Sequence, residues 1–295
     1  MKPEYNISDT ELKNIIPDYN GEHILSYCDI AEFYPERKRN TNKGDYGSAN
    51  IVAGSKKYPG AAVLSALSAL KSGCGYVKLT SDESVKSMLV YKLPSVIYLD
   101  ECDLKSQAIA IGMGCGASKE LFDKIKFLTR NFNGILIIDA DGLNSVAKYG
   151  SDVLKDSGCK IILTPHLKEF SRLTNTAIEV IAKSPVKTAV EFAKNFGITL
   201  LLKGAVSVIT DGTNTVLNTR GSTALAKGGS GDMLSGYMAG CAARGLSAFD
   251  AAKCSAFTLG LSAEICSEQK TDYCATAQDI LDNLHFAVKR LTGKN

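Results

Sequence analysis

Ile135-Leu136-Ile137-Ile138-Asp139-Ala140-Asp141 runs four apolar residues straight into two carboxylates. A strand with one wet face alternates apolar and polar residues. An unbroken branched run is what a strand buried on both faces needs, as in a parallel sheet covered by helices on each side. Before it, Ala108 to Ile111 repeats the pattern and feeds Gly112-Met113-Gly114-Cys115-Gly116, with Ser118 placed to cap a following helix. After it, Ile161-Ile162-Leu163 ends in Thr164-Pro165-His166, and Thr199 to Leu202 ends in Lys203-Gly204.

Further out, Asn50 to Ala53 is a short strand ending in Gly54-Ser55. Pro59 and Gly60 open a helix whose Val63, Leu64, Leu67 and Leu70 share one face, with Gly73 placed at its end. Tyr76 to Thr80 and Val96 to Leu99 are strands, and Pro185 to Phe196 is a helix stopped by Gly197. Val206 to Val216 reads as a hairpin around the two-residue turn Asp211-Gly212. From Met233 the chain is helical through Leu246 to Ser267, and a last helix follows Thr276, where Thr276 and Asp279 form a capping box with Asp in place of Glu. The alternation predicts an α/β fold with a mostly parallel central sheet flanked by helices on both faces. It predicts one domain over residues 42–295, behind a polar leader over 1–41.

The 295 residues are 45% hydrophobic and 22% charged, a globular balance, and the net charge of +3 is spread over interleaved signs. Arg37-Lys38-Arg39 is too short a basic run for a nucleic-acid surface. Met1 to Asn20 lacks the apolar core of a signal peptide, and no run is long enough to cross a bilayer. Nine cysteines without a Cys-x-x-Cys pair, and three histidines, argue against zinc and for buried thiols in a reducing cytoplasm.

Ligands of parallel sheets bind beyond the carboxyl ends of the strands. Four strand ends here carry polar or glycine-rich chemistry, and a further segment, Lys227-Gly228-Gly229-Ser230-Gly231-Asp232, begins a helix. Its glycines let successive N–H groups point into one concavity, which with the helix dipole suits a phosphate. Asp232, in the first turn, is placed to take a proton from a substrate hydroxyl. The bland alternative is a flexible turn with Asp232 serving the dipole. A competing motif, Gly112 to Ala117, satisfies G-x-G-x-x-G/A between a strand and a helix, with Asp139 ending the next strand. That hydride-transfer fingerprint normally opens its domain, whereas several strands precede this one, and it leaves the Gly228 loop unexplained. No Walker loop occurs.

Lys43-Gly44-Asp45-Tyr46-Gly47, Val52 to Ser55, Tyr58-Pro59-Gly60-Ala61-Ala62, Asp139 to Asn144, Leu163 to His166 and Gly228 to Asp232 stand in that order. Together they resemble the ADP/ATP-dependent NAD(P)H-hydrate dehydratases, of ribokinase-like fold, from about Lys43 to the C-terminus. The resemblance implies repair of NADH and NADPH hydrated at C6 (the S epimer): ADP or ATP phosphorylates the hydroxyl, and phosphate then leaves. It implies Asp232 as base, with Gly229, Ser230 and Gly231 as the anion hole. It further implies Lys203, Gly204, Ala205, Val206 and Ser207 with Gly231 at the nucleotide, and Ala61, Ala62, Gly114 and His166 at the hydrated dinucleotide. It also implies Mg2+, placed with help from Asp139 and Asp141. His166 read alone is equally a helix-capping or packing histidine.

The resemblance leans towards ADP as donor, towards both hydrates as substrates and towards a homo-oligomer, a tetramer by analogy. The leader is too short for the epimerase domain that many relatives carry, so the epimerase is expected on another polypeptide. Departures from the pattern are Lys168 for Gly, Lys227 for Thr, and Ser222-Thr223-Ala224 for Asn-Pro-Gly. Two alternatives stay open: a small-molecule kinase of the same fold acting on a vitamin-precursor alcohol, and a non-catalytic nucleotide-binding regulator, against which the intact Asp232 argues.

Overall fold

The computed structural model describes residues 7–293. Its strands are β1 (His23–Ile24), β2 (Ser48–Val52), β3 (Tyr76–Thr80), β4 (Ile97–Leu99), β5 (Ala108–Ile111), β6 (Ile135–Ile138), β7 (Lys160–Leu163), β8 (Thr199–Leu202), β9 (Ser207–Thr210) and β10 (Thr215–Asn218). Among the described residues they form one sheet in the order β1-β10-β9-β8-β7-β6-β5-β2-β3-β4. β4 through β8 pair in parallel, and β9 alone runs against its neighbours β8 and β10. From β2 the chain lays β3 and β4 to one side, then returns to place β5 on the other. The crevice between the carboxyl ends of β2 and β5 is therefore a switch point.

The helices are α1 (Asp9–Ile15), α2 (Tyr27–Ala31), α3 (Pro59–Lys71), α4 (Glu83–Lys92), α5 (Lys119–Asn131), α6 (Asp141–Tyr149), α7 (Leu167–Thr174), α8 (Ile178–Lys183), α9 (Pro185–Phe196), α10 (Ser230–Ala243), α11 (Ala248–Cys274) and α12 (Ala277–Thr292). Strand alternation divides the core in two. Ile51, Leu79, Ala110, Ile137, Ile162 and Leu201 face α3, α10, α11 and α12. Val52, Ile111, Leu136, Ile138, Leu163 and Leu202 face α5, α6, α7 and α9. Helices cover both faces, as the apolar run of β6 demands.

α3 and α10 lie unusually close. A Cβ on Gly236 would stand 2.0 Å from the Ser65 carbonyl oxygen, and one on Gly240 would stand 1.9 Å from Ser72 Oγ. Ser68 Oγ also donates to the Met233 carbonyl at 2.7 Å. The Ala- and Ser-rich sequence of α3 permits this approach, which brings the start of α10 over the switch point.

Two expectations are revised. The hairpin loop has four residues rather than two: Thr210 pairs with Thr215, and Asp211 Oδ1 accepts from the backbone N–H groups of Thr213 and Asn214 at 2.9 and 2.7 Å. The leader, read as a polar arm, supplies α1, β1 and α2. Leu12 and Ile16 bury in the core of one face and Leu25 and Ile30 in that of the other, while β1 pairs in parallel with β10. Residues 1–6 of that leader lie outside the described residues. The capping box at α12 forms as expected, with Asp279 N donating to Thr276 Oγ1 and Thr276 N to Asp279 Oδ2.

Candidate active site

α10 begins at Ser230, with Gly229 as its N-cap at φ +96°. This left-handed conformation suits glycine, and a side chain there would also press on Leu64, whose Cδ1 lies 2.5 Å from the Cβ position. The first N–H groups of a helix have no carbonyl behind them and carry the positive end of its dipole. Gly229, Ser230 and Gly231 form the cap and first residues of that turn. Asp232 stands in the same turn.

Beneath the turn lies a buried ionic cluster. Asp139, 1% exposed at the end of β6, accepts from Lys203 Nζ at 3.0 Å through Oδ1 and from Ser235 Oγ at 2.7 Å through Oδ2. A Cβ at Gly231 would sit 3.4 Å from Asp139 Oδ2 and 3.5 Å from Lys203 Nζ, so the cluster abuts the glycine loop. Burial, then the charges of Asp139 and Asp141, push the Asp232 carboxyl up to about 6, against the opposing pull of Lys203. A carboxylate poised near neutrality is suited to accepting a proton.

His166 caps α7. Its Nδ1 accepts from the backbone N–H groups of Lys168 and Glu169 at 3.1 and 3.2 Å, while Glu169 Oε2 accepts from His166 N at 2.9 Å. The accepting Nδ1 requires a ring with its proton on Nε2, and burial, then Lys203, lower the imidazole pKa accordingly. His166 therefore serves as the cap of α7, and its half-exposed ring sets Nε2 3.6 Å from Glu169 Oε1. Lys203 N donates to the Pro165 carbonyl at 2.8 Å, tying this turn to the end of β8.

The remaining expected residues fall into two groups. Gly114 meets α3: its Cβ position lies 2.7 Å from Ala61 Cβ and 2.9 Å from Tyr58 Cβ. Ala62 is fully buried against Gly54, so it shapes the crevice from behind. Gly204 and Ala205 are exposed at the tip between β8 and β9, Ser207 is half-buried, and Val206 turns into the core. The glycine loop after β5 has a packing rationale that needs no dinucleotide. A Cβ on Gly112 would stand 2.2 Å from the Asp139 carbonyl oxygen, and Gly116 N donates to Asp141 Oδ2 at 2.7 Å.

Among the described residues no group of three or more His, Cys, Asp or Glu side chains gathers as a metal site. Both Asp139 oxygens are engaged by Lys203 and Ser235. A depression of about 420 Å3 lined by Leu154 to Ser157, Cys159 to Ile161 and Asn195 to Ile198 lies at the amino ends of β7 and β8, opposite the cluster. Sequence reading missed Ser235, which sits one helical turn beyond Asp232, and the Arg172 Nη1 to Asn144 Oδ1 bond of 2.7 Å. The i, i+3 spacing from Asp232 is the signal that could have found Ser235.

Comparison with known proteins places the fold in a family. The family described as NAD(P)H-hydrate dehydratase matches residues 49–285. A bifunctional NAD(P)H-hydrate repair enzyme of Thermofilum pendens is 33% identical over 276 residues, covering 87% of this chain and 52% of the relative. The chain thus spans about half the length of such bifunctional relatives. An ADP-dependent (S)-NAD(P)H-hydrate dehydratase of Cenarchaeum symbiosum is 31% identical over 285 residues, covering 90% of this chain and 96% of that one. Among solved structures, the Bacillus subtilis ADP/ATP-dependent NAD(P)H-hydrate dehydratase co-crystallised with ATP and Mg2+ superposes with a TM-score of 0.82 at 28% identity, covering 92% and 99% of the two chains. A family match over most of its length and a relative 31% identical along 96% of that relative's own chain show that the chain belongs to the NAD(P)H-hydrate dehydratase family.

Proposed function

We propose that this chain restores hydrated NADH and NADPH (the S epimers) to the reduced dinucleotides, with ADP as phosphoryl donor. The observation that carries the reading is Asp232: a carboxyl pushed up to about 6, set at the helix N-terminus beside the Gly229–Gly231 turn. The archaeal relative of similar length carries an ADP-dependent name, which supports ADP over ATP.

The C6 hydroxyl gives its proton to Asp232 as its oxygen attacks the terminal phosphorus. ADP leaves as AMP, and charge on the transferring group is met by the N–H groups of the loop. The C6–O bond then breaks, driven by the ring-nitrogen lone pair, and inorganic phosphate departs. Loss of a C5 proton completes the dihydropyridine. Hydroxide is a poor leaving group and phosphate a good one, so the nucleotide converts a blocked elimination into an easy one. Lys203 to Ser207 receive the nucleotide, while Ala61, Gly114 and His166 Nε2 receive the hydrated ring, with Ala62 behind them.

A magnesium ion would come with the nucleotide, with a carboxylate at the strand ends to help hold it. Asp141 is then the better placed of the two expected carboxylates, because Lys203 already neutralises Asp139. When bound, the ion neutralises phosphate charge. Nine cysteines present as free thiols suit a reducing cytoplasm.

The test mixes protein, NADH hydrate, Mg2+ and either nucleotide, and follows the absorbance of reduced nicotinamide. A nucleotide-dependent rise, largest with ADP and lost in Asp232→Asn, is expected. No rise with either nucleotide, from folded protein that binds ADP, overturns the reading in favour of a small-molecule kinase.

A further inference from the structure

We propose that Lys227 is a positioning residue, whose ammonium clamps the phosphate-binding turn to the broken end of α11. Lys227 Nζ donates to three main-chain carbonyls, those of Asp272 at 2.9 Å, Tyr273 at 2.8 Å and Ala275 at 2.5 Å. An ammonium has three donors and no acceptor, so its complement is met in full. The carbonyls stand at the C-terminal end of a helix, where they lack intrahelical partners and carry the negative end of the dipole.

The carbonyls are presented there because Thr271 leaves the helical conformation, at φ +67° and ψ 155°. That conformation is costly for a β-branched residue and persists only where its surroundings hold it. Ser267 Oγ bonds Asp272 Oδ1 at 2.5 Å, and Ser222 Oγ lies 2.7 Å from Ser267 Oγ. Ser222 and Lys227, on either side of the short turn before Gly228, therefore reach the same segment. At its other end, the Lys227 carbonyl accepts from Ser230 Oγ at 3.0 Å and from Ser230 N at 3.4 Å. Gly228 and Gly229 have no side chains with which to hold their own conformation. The clamp on Lys227 is thus the nearest side-chain anchor upstream of the turn that carries Asp232.

The geometry stands apart from the proposed reaction; only its effect on turnover rests on that reading. The experiment compares wild type with Lys227→Ala, with and without added methylammonium at constant ionic strength. It measures amide hydrogen exchange over residues 228–232, ADP affinity by calorimetry and NADH-hydrate turnover. In Lys227→Ala we expect roughly tenfold faster exchange of the turn and comparably weaker ADP binding and turnover, as befits lost charge-assisted bonds. Methylammonium, small enough to enter the three-carbonyl cage, restores them, while wild type is indifferent to it.

Exchange unchanged from wild type overturns the proposal, as does a loss that the amine leaves unrepaired in a protein melting at the wild-type temperature. Should Lys227→Ala fail to fold, Lys227→Gln, which keeps two donors without the charge, is read on the same exchange scale. Wild-type protein without turnover would sink the dehydratase reading and leave the exchange result decisive for the clamp.

Discussion

Asp232 is held against its own preference for water, and both activity and stability should show it. Its carboxyl sits at about 6 in the folded chain because burial and the neighbouring Asp139 and Asp141 disfavour the charge. Turnover that needs the carboxylate should fall as pH drops through about 6, and the acidic limb should vanish from the residual activity of Asp232→Asn. Between the unfolded value near 3.8 and about 6 the folded state binds more protons, so this group lowers stability as pH rises across that window and costs most above it. Asp232→Asn should therefore melt higher than wild type at pH 8, by on the order of 1–3 kcal/mol of stability, while losing about 100-fold or more in kcat. Calorimetry and a pH–rate profile check both. Lys203→Met acts in the opposite sense, because it leaves Asp139 buried with Ser235 as its remaining bonded partner. A loss of roughly 3 kcal/mol in denaturant melts is expected.

At the scale of elements, α10 decides where the phosphate turn stands. Its separation from α3 is set by glycine: the Cβ of Gly236→Ala would come within 2.0 Å of a backbone carbonyl oxygen, which cannot swing aside as a side chain could. The helix must shift, carrying Asp232 with it, so Gly236→Ala should cost about 1–3 kcal/mol as an overpacked core does. It should also lower kcat more than it raises KM for the nucleotide. A variant with wild-type melting and wild-type kcat would show that the helices have slack the geometry denies. The break in α11 belongs to the same scale, since it brings three carbonyls round to face Lys227.

Across the whole molecule, the leader closes the far edge of the sheet. β1 covers β10, and Leu12, Ile16, Leu25 and Ile30 bury on both sides of that edge. A chain beginning at Tyr27 should expose an unpaired strand edge and the apolar surface that Leu12, Ile16 and Leu25 cover. Thermal midpoints lower by roughly 5 °C or more and a tendency to aggregate are expected, checked by scanning calorimetry and light scattering. Because α10, which carries Asp232, packs over β2, β5 and β6, away from that edge, kcat at low temperature should stay within about twofold of the full chain.

Much of this was legible in residue order. The strands β5 to β8, helix α9 between Pro185 and Gly197, the capping box at Thr276 and the glycine turn ending in Asp232 are local signals, read from burial period, caps and φ demands within a few residues. Their ordered motifs sufficed to indicate fold and family. Other features exist only across distance. Ser235 reaches Asp139 from 96 positions away, and Lys227 finds its carbonyls 45 to 48 positions on. The two residues of β1 are a strand only because β10 is beside them. A periodic pattern reports which side of an element is buried, so sequence alone determined the layers and the chemistry carried at the strand ends. Partners are chosen by strand order and helix separation, so tertiary structure alone decided that His166 caps with Nδ1, that Lys203 holds Asp139, and what fixes the turn at Asp232.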